Sequence, residues 1–525
     1  MTNSIDEISD ATCILAIGTN TTEAHPVIGM DVRKAVSKGA KLIVVDPRDV
    51  DNARRADLWL RLKHGTDIAL LMGMMRIILD EGLHDLSFIE ERCENFDEFK
   101  ASLKKFNPDF VEQTTGVPRE KLIEAARMYA TTKPATILYT LGITEHVHGT
   151  DNVIAIANLA MLTGNIGKPS SGVNPLRGQN NVQGACDMGC LSNVYPGYQS
   201  VTDPAARKKF EAAWGCSLPS GAGLTLTEFF DAAHRKEIRA IYLNGEDPAL
   251  TDPDTSHVQK ALSELEFLVV QDIFLTETAR LAHVVLPAAS FAEKEGTFTN
   301  TERRVQRVRK AIEPVGNSKP DWWITCQIAQ RMGAKGFDFK HPSEIMQEIA
   351  SLTPSYGGIS FERLDKGSLQ WPCPTLEHPG TPVLHTQLFT RGRGRFIPLE
   401  YKGPAELPDD EYPLILSTGR CLYQFHTSMT KYVKGLNILR GEELVQINPE
   451  DALALGINDG DLIKVTSRRG EVTARAMVTD VTPVGAIWMT FHFAGSPTNL
   501  LTNPALDPVS KTPEFKVCAV RVEKK

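Results

Sequence analysis

Two short apolar runs rich in β-branched residues, Cys13-Ile-Leu-Ala-Ile and Lys41-Leu-Ile-Val-Val, constrain the fold most, because a helical pattern separates them. Strand, helix and strand in that order form a crossover unit, which requires parallel strands with helices packed on the sheet. The helix is expected around Met30 to Ser37, with Gly39 ending it, and the second strand stops at Asp46-Pro47-Arg48. A third strand, Thr136-Ile-Leu-Tyr, follows a helix over roughly Arg119 to Tyr129 and runs into Leu141-Gly-Ile-Thr. A second series repeats the pattern, with strands at Ala240-Ile-Tyr-Leu, Phe267-Leu-Val-Val-Gln and His283-Val-Val-Leu. Proline, glycine and charge dominate Ser343 to Leu407, which predicts connecting loops and short elements. Closely spaced strands then follow at Glu443-Leu-Val-Gln-Ile, Asp461-Leu-Ile-Lys-Val-Thr, Gly470-Glu-Val-Thr-Ala-Arg-Ala and Ala486-Ile-Trp-Met-Thr, the pattern of a barrel. The expected fold class is α/β: two doubly wound parallel-sheet lobes followed by a C-terminal β-barrel domain, over residues 1–178, 179–385 and 386–525.

Charge and cysteine usage remove several classes of function. A net charge of -8 provides no broad basic field, which disfavours wrapping nucleic acid or lying on an anionic membrane. The strongest apolar run, Ile68 to Leu79, is interrupted by Arg76, is too short to span a bilayer, and reads as a buried helix capped by Thr66 or Asp67. Nine scattered cysteines without a Cys-x-x-Cys pair read as reduced thiols in a cytoplasmic protein. Cys186 and Cys190 are expected to be buried packing residues, and His146 and His148 an exposed pair on a strand rather than metal ligands.

Ligands of open α/β sheets sit beyond the carboxyl ends of the strands, where amide N–H groups and helix N-termini point. Gly18 and Asn20 follow the first strand, Asp46 and Arg48 the second, and Asn244-Gly-Glu-Asp247 and Asp272 follow strands of the second lobe. Glycines for a pyrophosphate and carboxylates for ribose or guanine suggest one nucleotide per lobe, although any single residue of the set also suits a helix cap. No Gly-x-Gly-x-x-Gly follows a strand, so a conventional NAD site is unsupported. Arg177, in a loop of neutral and small residues, has two readings: a bidentate site for a small carboxylate, or a salt bridge to a neighbouring loop.

The segment Gly172-Val-Asn-Pro-Leu-Arg-Gly-Gln-Asn-Asn-Val-Gln-Gly-Ala-Cys-Asp-Met-Gly189 closely resembles molybdenum- or tungsten-dependent formate dehydrogenases. The likeness continues through Asn158 to Lys168, Gly245-Glu-Asp-Pro248, Val270-Gln-Asp-Ile-Phe274 and Lys511-Thr-Pro-Glu-Phe-Lys516. It implies the dimethyl sulfoxide reductase fold and a pair of molybdopterin guanine dinucleotides holding Mo or W. By that resemblance Asn20, Glu23, Asp46, Arg48 and Asp67 line one dinucleotide, and Leu141, Gly142, Glu145, Gln179, Asp247, Thr251 and Asp272 the other. Arg177 would orient formate, and Arg420, Gln424, His426, Asn499 and Lys516 of the barrel would close over the pterins. Glu23 and Glu145 differ from common family choices, and Gln424 stands where the family often has histidine.

The implied reaction oxidises formate to carbon dioxide and passes electrons through a 4Fe-4S cluster to electron-transfer subunits. The family's N-terminal cysteine cluster, its relay lysine and its Cys-His or selenocysteine-His pair have no counterpart in these 525 residues. Met1-Thr-Asn-Ser-Ile-Asp-Glu resembles the family segment just after the selenocysteine, which predicts an upstream in-frame UGA codon; the alternative is a split enzyme with that part on another polypeptide. The 525 residues alone are then expected to be inactive. A non-catalytic structural subunit with a molybdopterin-type fold is the competing functional class.

Overall fold

The computed structural model describes residues 1–425 and 429–525. They divide into two compact units: Met1–Leu176, Leu250–Ser256 and Val383–Lys525 in one, Arg177–Ala249 and His257–Pro382 in the other.

The first unit is organised by a five-stranded parallel sheet ordered Leu58–Leu60, Lys41–Val45, Cys13–Ile17, Ala135–Tyr139 and Gly172–Pro175. Alternate side chains of a strand point to opposite faces. Cys13, Leu15 and Ile17 accordingly join one apolar cluster with the helix Asp67–Asp80, and Ile14 and Ala16 join another with the helix Pro26–Ser37. With both faces covered, the strands are continuously apolar instead of alternating, the pattern visible in the sequence.

The predicted first helix starts earlier than Met30, at Pro26, because proline fits the first turn, where a helix has no use for its N–H. The helix before the fourth sheet strand is Arg119–Thr131, and the apolar run at 68–79 forms the buried helix Asp67–Asp80. Gly172–Pro175, which the apolar-run pattern does not mark as a strand, is the fifth strand.

Strand order runs outward in opposite senses from the parallel neighbours Cys13–Ile17 and Ala135–Tyr139, which makes this pair the switch point of the sheet, where open α/β folds form a ligand crevice. Their backbones touch at its floor. Gly142 N–H donates to Gly18 O at 3.2 Å, and a Cβ on Gly142 would lie 2.6 Å from that oxygen. Gly18 also has φ +55°, so glycine is required there by conformation as well as by contact.

The same unit carries a closed six-stranded barrel ordered Leu414–Gly419, Ala486–Thr490, Leu444–Ile447, Glu471–Val478, Leu462–Thr466 and Cys518–Lys524. Four of these strands match the sequence expectation; Leu414–Gly419 and Cys518–Lys524, paired antiparallel, close the ring. Its interior is a dry aliphatic core that includes Leu416, Val445, Ile463, Val472, Ile487 and Val520.

The second unit has a three-stranded parallel sheet, Ala240–Asn244, Phe267–Asp272 and Val284–Pro287, in sequential order. It also contains the antiparallel strands Gly296–Thr299, Arg304–Val308 and Leu369–Gln370. The stretch expected to hold connecting loops and short elements begins with the eleven-residue helix Pro342–Leu352, whose apolar positions Ile345, Met346 and Ile349 recur at helical spacing despite the proline-rich surroundings. Among the described residues no helix is long and apolar enough to cross a membrane.

Candidate cofactor and anion site

At the end of the strand Lys41–Val45, Asp46 is buried and its Oδ1 accepts the Arg48 N–H at 2.9 Å. Burial raises its carboxyl to about 6, against the pull of that N–H and of the Arg48 guanidinium. Arg48 packs against the outer face of the barrel, where it stacks 4.1 Å from the centre of the Trp488 ring and donates to Gln446 Oε1 at 2.9 Å. Glu23 is likewise raised by burial, while the guanidiniums of Arg48, Arg440 and Arg420 oppose that shift. Arg420 donates to Ala24 O at 3.0 Å. Asn20 caps the helix Thr21–Ala24, its side chain accepting from Glu23 N–H at 3.4 Å. Asn20, Glu23, Asp46, Arg48 and Arg420 thus converge at one sheet edge beneath the barrel.

Glu145 and Lys516, one from the sheet side and one from the barrel side, form an ion pair at 2.6 Å with both side chains about nine-tenths buried. Lys516 also donates to Thr418 O at 2.9 Å, so the cation is held from two directions. Asp67 starts the helix Asp67–Asp80 and is pushed up to about 7, first by burial and then by the charge of Asp46. His146 lies 4.0 Å from it and bonds Gly142 O at 3.0 Å. His146 is therefore not half of an exposed strand pair: it sits in the turn after the short helix Leu141–Thr144 and is buried. Burial lowers His146 to about 4 and His64 to about 3, with the neighbouring cations Arg48 and Lys516 adding to the effect on His64. No sequence pattern marked His64 or Arg440, since each lies in a segment without periodicity.

The remaining positions divide between the units. Leu141 is exposed at the crevice rim and Gly142 forms its floor. Gln424 is buried, donating to Asn437 Oδ1 and Arg440 O. Asn499 donates to Leu250 O and Thr251 O, holding the end of the helix Pro248–Thr251. His426 lies outside the described residues. In the second unit Asp247 accepts from the Thr278 N–H and hydroxyl, Asp272 accepts from Phe274 N–H, and Gln179 is exposed.

Arg177 follows the fifth strand of the first sheet. Its N–H donates to Thr301 Oγ1 at 3.1 Å, and its Nη1 lies 3.5 Å from Cys186 Sγ. Cys186 is half-buried and Cys190 exposed, contrary to the packing role expected of them. The helix Val182–Asp187 is too short for both thiols to face a core.

Residues 1–331 match the family model for molybdopterin oxidoreductase, and residues 414–519 that for the molydopterin dinucleotide binding domain. The chain belongs to the molybdopterin oxidoreductase family. Among its relatives, the F420-dependent formate dehydrogenase subunit alpha of Methanocaldococcus jannaschii is 49% identical over 528 residues, covering 100% of this chain and 78% of the relative. Formate dehydrogenase H of Escherichia coli is 44% identical over 531 residues, covering 100% of this chain and 74% of the relative. Acetylene hydratase from Pelobacter acetylenicus shares the fold at TM-score 0.76 and 22% identity, covering 100% of this chain and 81% of that one.

The family's dinucleotide fits the residues present. Arg48 Nε, Arg420 Nε, His64 Nε2, His146 Nδ1 and Gln424 Oε1 are buried without a hydrogen-bond partner. Buried polar atoms normally find partners, so such a concentration in one crevice is the signature of a ligand-binding surface. Two arginines suit phosphates, and two buried carboxylates suit the N–H groups of guanine or the hydroxyls of ribose.

Proposed function

We propose that the chain is the molybdopterin-binding body of a formate dehydrogenase catalytic subunit, converting HCOO⁻ to CO2 with release of one proton and two electrons. Identity of 44–49% to relatives named formate dehydrogenase, over the whole of this chain, carries the reading. In it Asn20, Glu23, Asp46, Arg48 and Asp67 line one guanine dinucleotide, and Leu141, Gly142, Glu145, Gln179, Asp247, Thr251 and Asp272 belong to the second. Arg420, Gln424, His426, Asn499 and Lys516 close over the pterins. When bound, the cofactor supplies a Mo or W centre that takes up the electron pair.

The chain's own residues bind and orient. Arg177 offers a planar fork matching the two oxygens of formate, in a half-buried loop that weakens competition from water. Glu145 and Lys516 tie sheet to barrel over the crevice. The iron–sulfur relay is assigned to a partner segment or subunit, because the nine cysteines include no Cys-x-x-Cys pair. Anaerobic formate-dependent dye reduction by the full-length gene product tests the reading. A protein loaded with metal and pterin that reduces dye with formate supports it, and a loaded protein inert to formate overturns it.

A further inference from the structure

Asp187 is fully buried in the second unit, at the end of the helix Val182–Asp187, and has no role in the site as described so far. Its Oδ1 accepts from Gln183 Nε2 at 2.8 Å and from the Tyr198 hydroxyl at 2.9 Å. Its Oδ2 accepts from the Tyr356 hydroxyl at 2.6 Å and from Trp371 Nε1 at 2.7 Å. A carboxylate has about four acceptor positions, so this one is saturated, by two donors from nearby in the chain, Gln183 and Tyr198, and two from far along it, Tyr356 and Trp371. Both phenols are held protonated, well above their ordinary range, by burial first and then by the carboxylate's charge, so they remain donors at any working pH.

The hub is coupled to Arg177 by two routes. Cys186, the residue before Asp187, places its Sγ 3.5 Å from the Arg177 guanidinium. Tyr198, in addition to its bond to Asp187, lies within electrostatic reach of both Cys186 and Arg177. Tyr198 holds φ +58°, a left-handed conformation that a bulky residue adopts only when its surroundings fix it. Gly197 N–H donates to Asp187 O at 2.7 Å and pins the same turn. At the other end of the loop, Asn181 Oδ1 accepts Thr299 N–H at 2.9 Å, and Arg177 N–H bonds Thr301. The backbone of Arg177 is thus anchored on one side, and the surroundings of its guanidinium are set from the Asp187 side.

We propose that Asp187 is a positioning residue for Arg177: its four-donor clamp fixes Cys186 and Tyr198 against the guanidinium, so that the fork is presented to the substrate anion in one orientation. The inference rests on the assignment of Arg177 as the formate-binding group. In Asp187→Asn, made in the full-length holoenzyme, shape is kept but one acceptor oxygen becomes an amide facing two donors.

The expected result is a rise of about tenfold in KM for formate with kcat changed less than about threefold, the pattern of a misplaced binding group. The inhibition constant of nitrate, a planar anion that takes the same fork, should rise in parallel, while metal and pterin content stay at the wild-type level. Tyr356→Phe, which removes one donor and keeps the carboxylate, should raise KM about two- to threefold. Arg177→Lys is the control for the underlying assignment: unchanged KM in that variant refutes formate binding by Arg177 itself. If Arg177→Lys raises KM while loaded Asp187→Asn and Tyr356→Phe proteins leave KM and the nitrate constant unchanged, the positioning role is refuted and the assignment of Arg177 survives. Loss of cofactor and kcat with KM unchanged likewise refutes it, in favour of a structural role. Should Asp187→Asn fail to fold, Tyr356→Phe and Tyr198→Phe decide the matter on the same KM criterion.

Discussion

Replacing Lys516 by methionine removes a cation but little volume, and isolates what the Glu145 pair contributes. Both partners are about nine-tenths buried at 2.6 Å, and Lys516 also bonds Thr418 O. Deleting one member of a buried pair leaves the other desolvated and unpaired, a loss of about 3–5 kcal/mol. The double variant Lys516→Met with Glu145→Gln leaves no orphan charge. Its remaining loss is the bond to Thr418 and whatever the glutamine fails to satisfy, about 1–2 kcal/mol. The structure therefore predicts a coupling of about 2–4 kcal/mol, with the double variant more stable than Lys516→Met alone. Urea unfolding of all four proteins without cofactor, followed by far-UV circular dichroism, measures it. Additivity of the two single effects within about 0.5 kcal/mol would refute a direct pair between sheet side and barrel.

Gly142→Ala should lower the thermal midpoint and weaken pterin retention together, because its Cβ would meet Gly18 backbone at 2.6 Å and neither loop can yield without opening the crevice floor; thermal melts and bound-pterin fluorescence check both. Asp67 is held as the neutral acid up to about 7, against an ordinary 3.8, so the folded chain binds a proton that the unfolded chain releases. Stability of the cofactor-free chain from this group is complete below pH 3.8 and falls as pH rises toward 7, and Asp67→Asn should flatten that loss in melts taken from pH 5 to pH 8. His64 and His146 act in the opposite direction: held neutral down to about 3 and about 4, they cost stability as pH falls below 6.5, and His64→Gln should reduce the acid-side loss. Arg48→Ala should reduce bound pterin per chain, read by metal and pterin analysis, since it removes both the Trp488 stack and the Gln446 bond.

Strands buried on both faces were legible because their apolar runs, such as 13–17 and 41–45, leave no other assignment of that length. The fifth strand, Gly172–Pro175, was not, since its hydrogen bonds to Thr136–Tyr139 come from a neighbour more than thirty residues away rather than from side-chain character. Asp46 and Arg48 were visible because position after a strand is itself a signal. His146 was misread because its burial comes from the turn after Leu141–Thr144 and from Asp67, contacts that no local pattern encodes. Asp187 illustrates the limit most clearly: its four donors include Tyr356 and Trp371, far along the chain, and nothing in the residues around it announces a clamp.

The central claim, two guanine dinucleotides held by this chain's strand-end residues, is most directly tested by counting nucleotides. Acid hydrolysis of the anaerobically purified full-length protein should release two GMP for each Mo or W atom, and the ratio of GMP to chain should fall in Arg48→Ala. No GMP from a protein that retains its metal, or a ratio indifferent to Arg48, would contradict it.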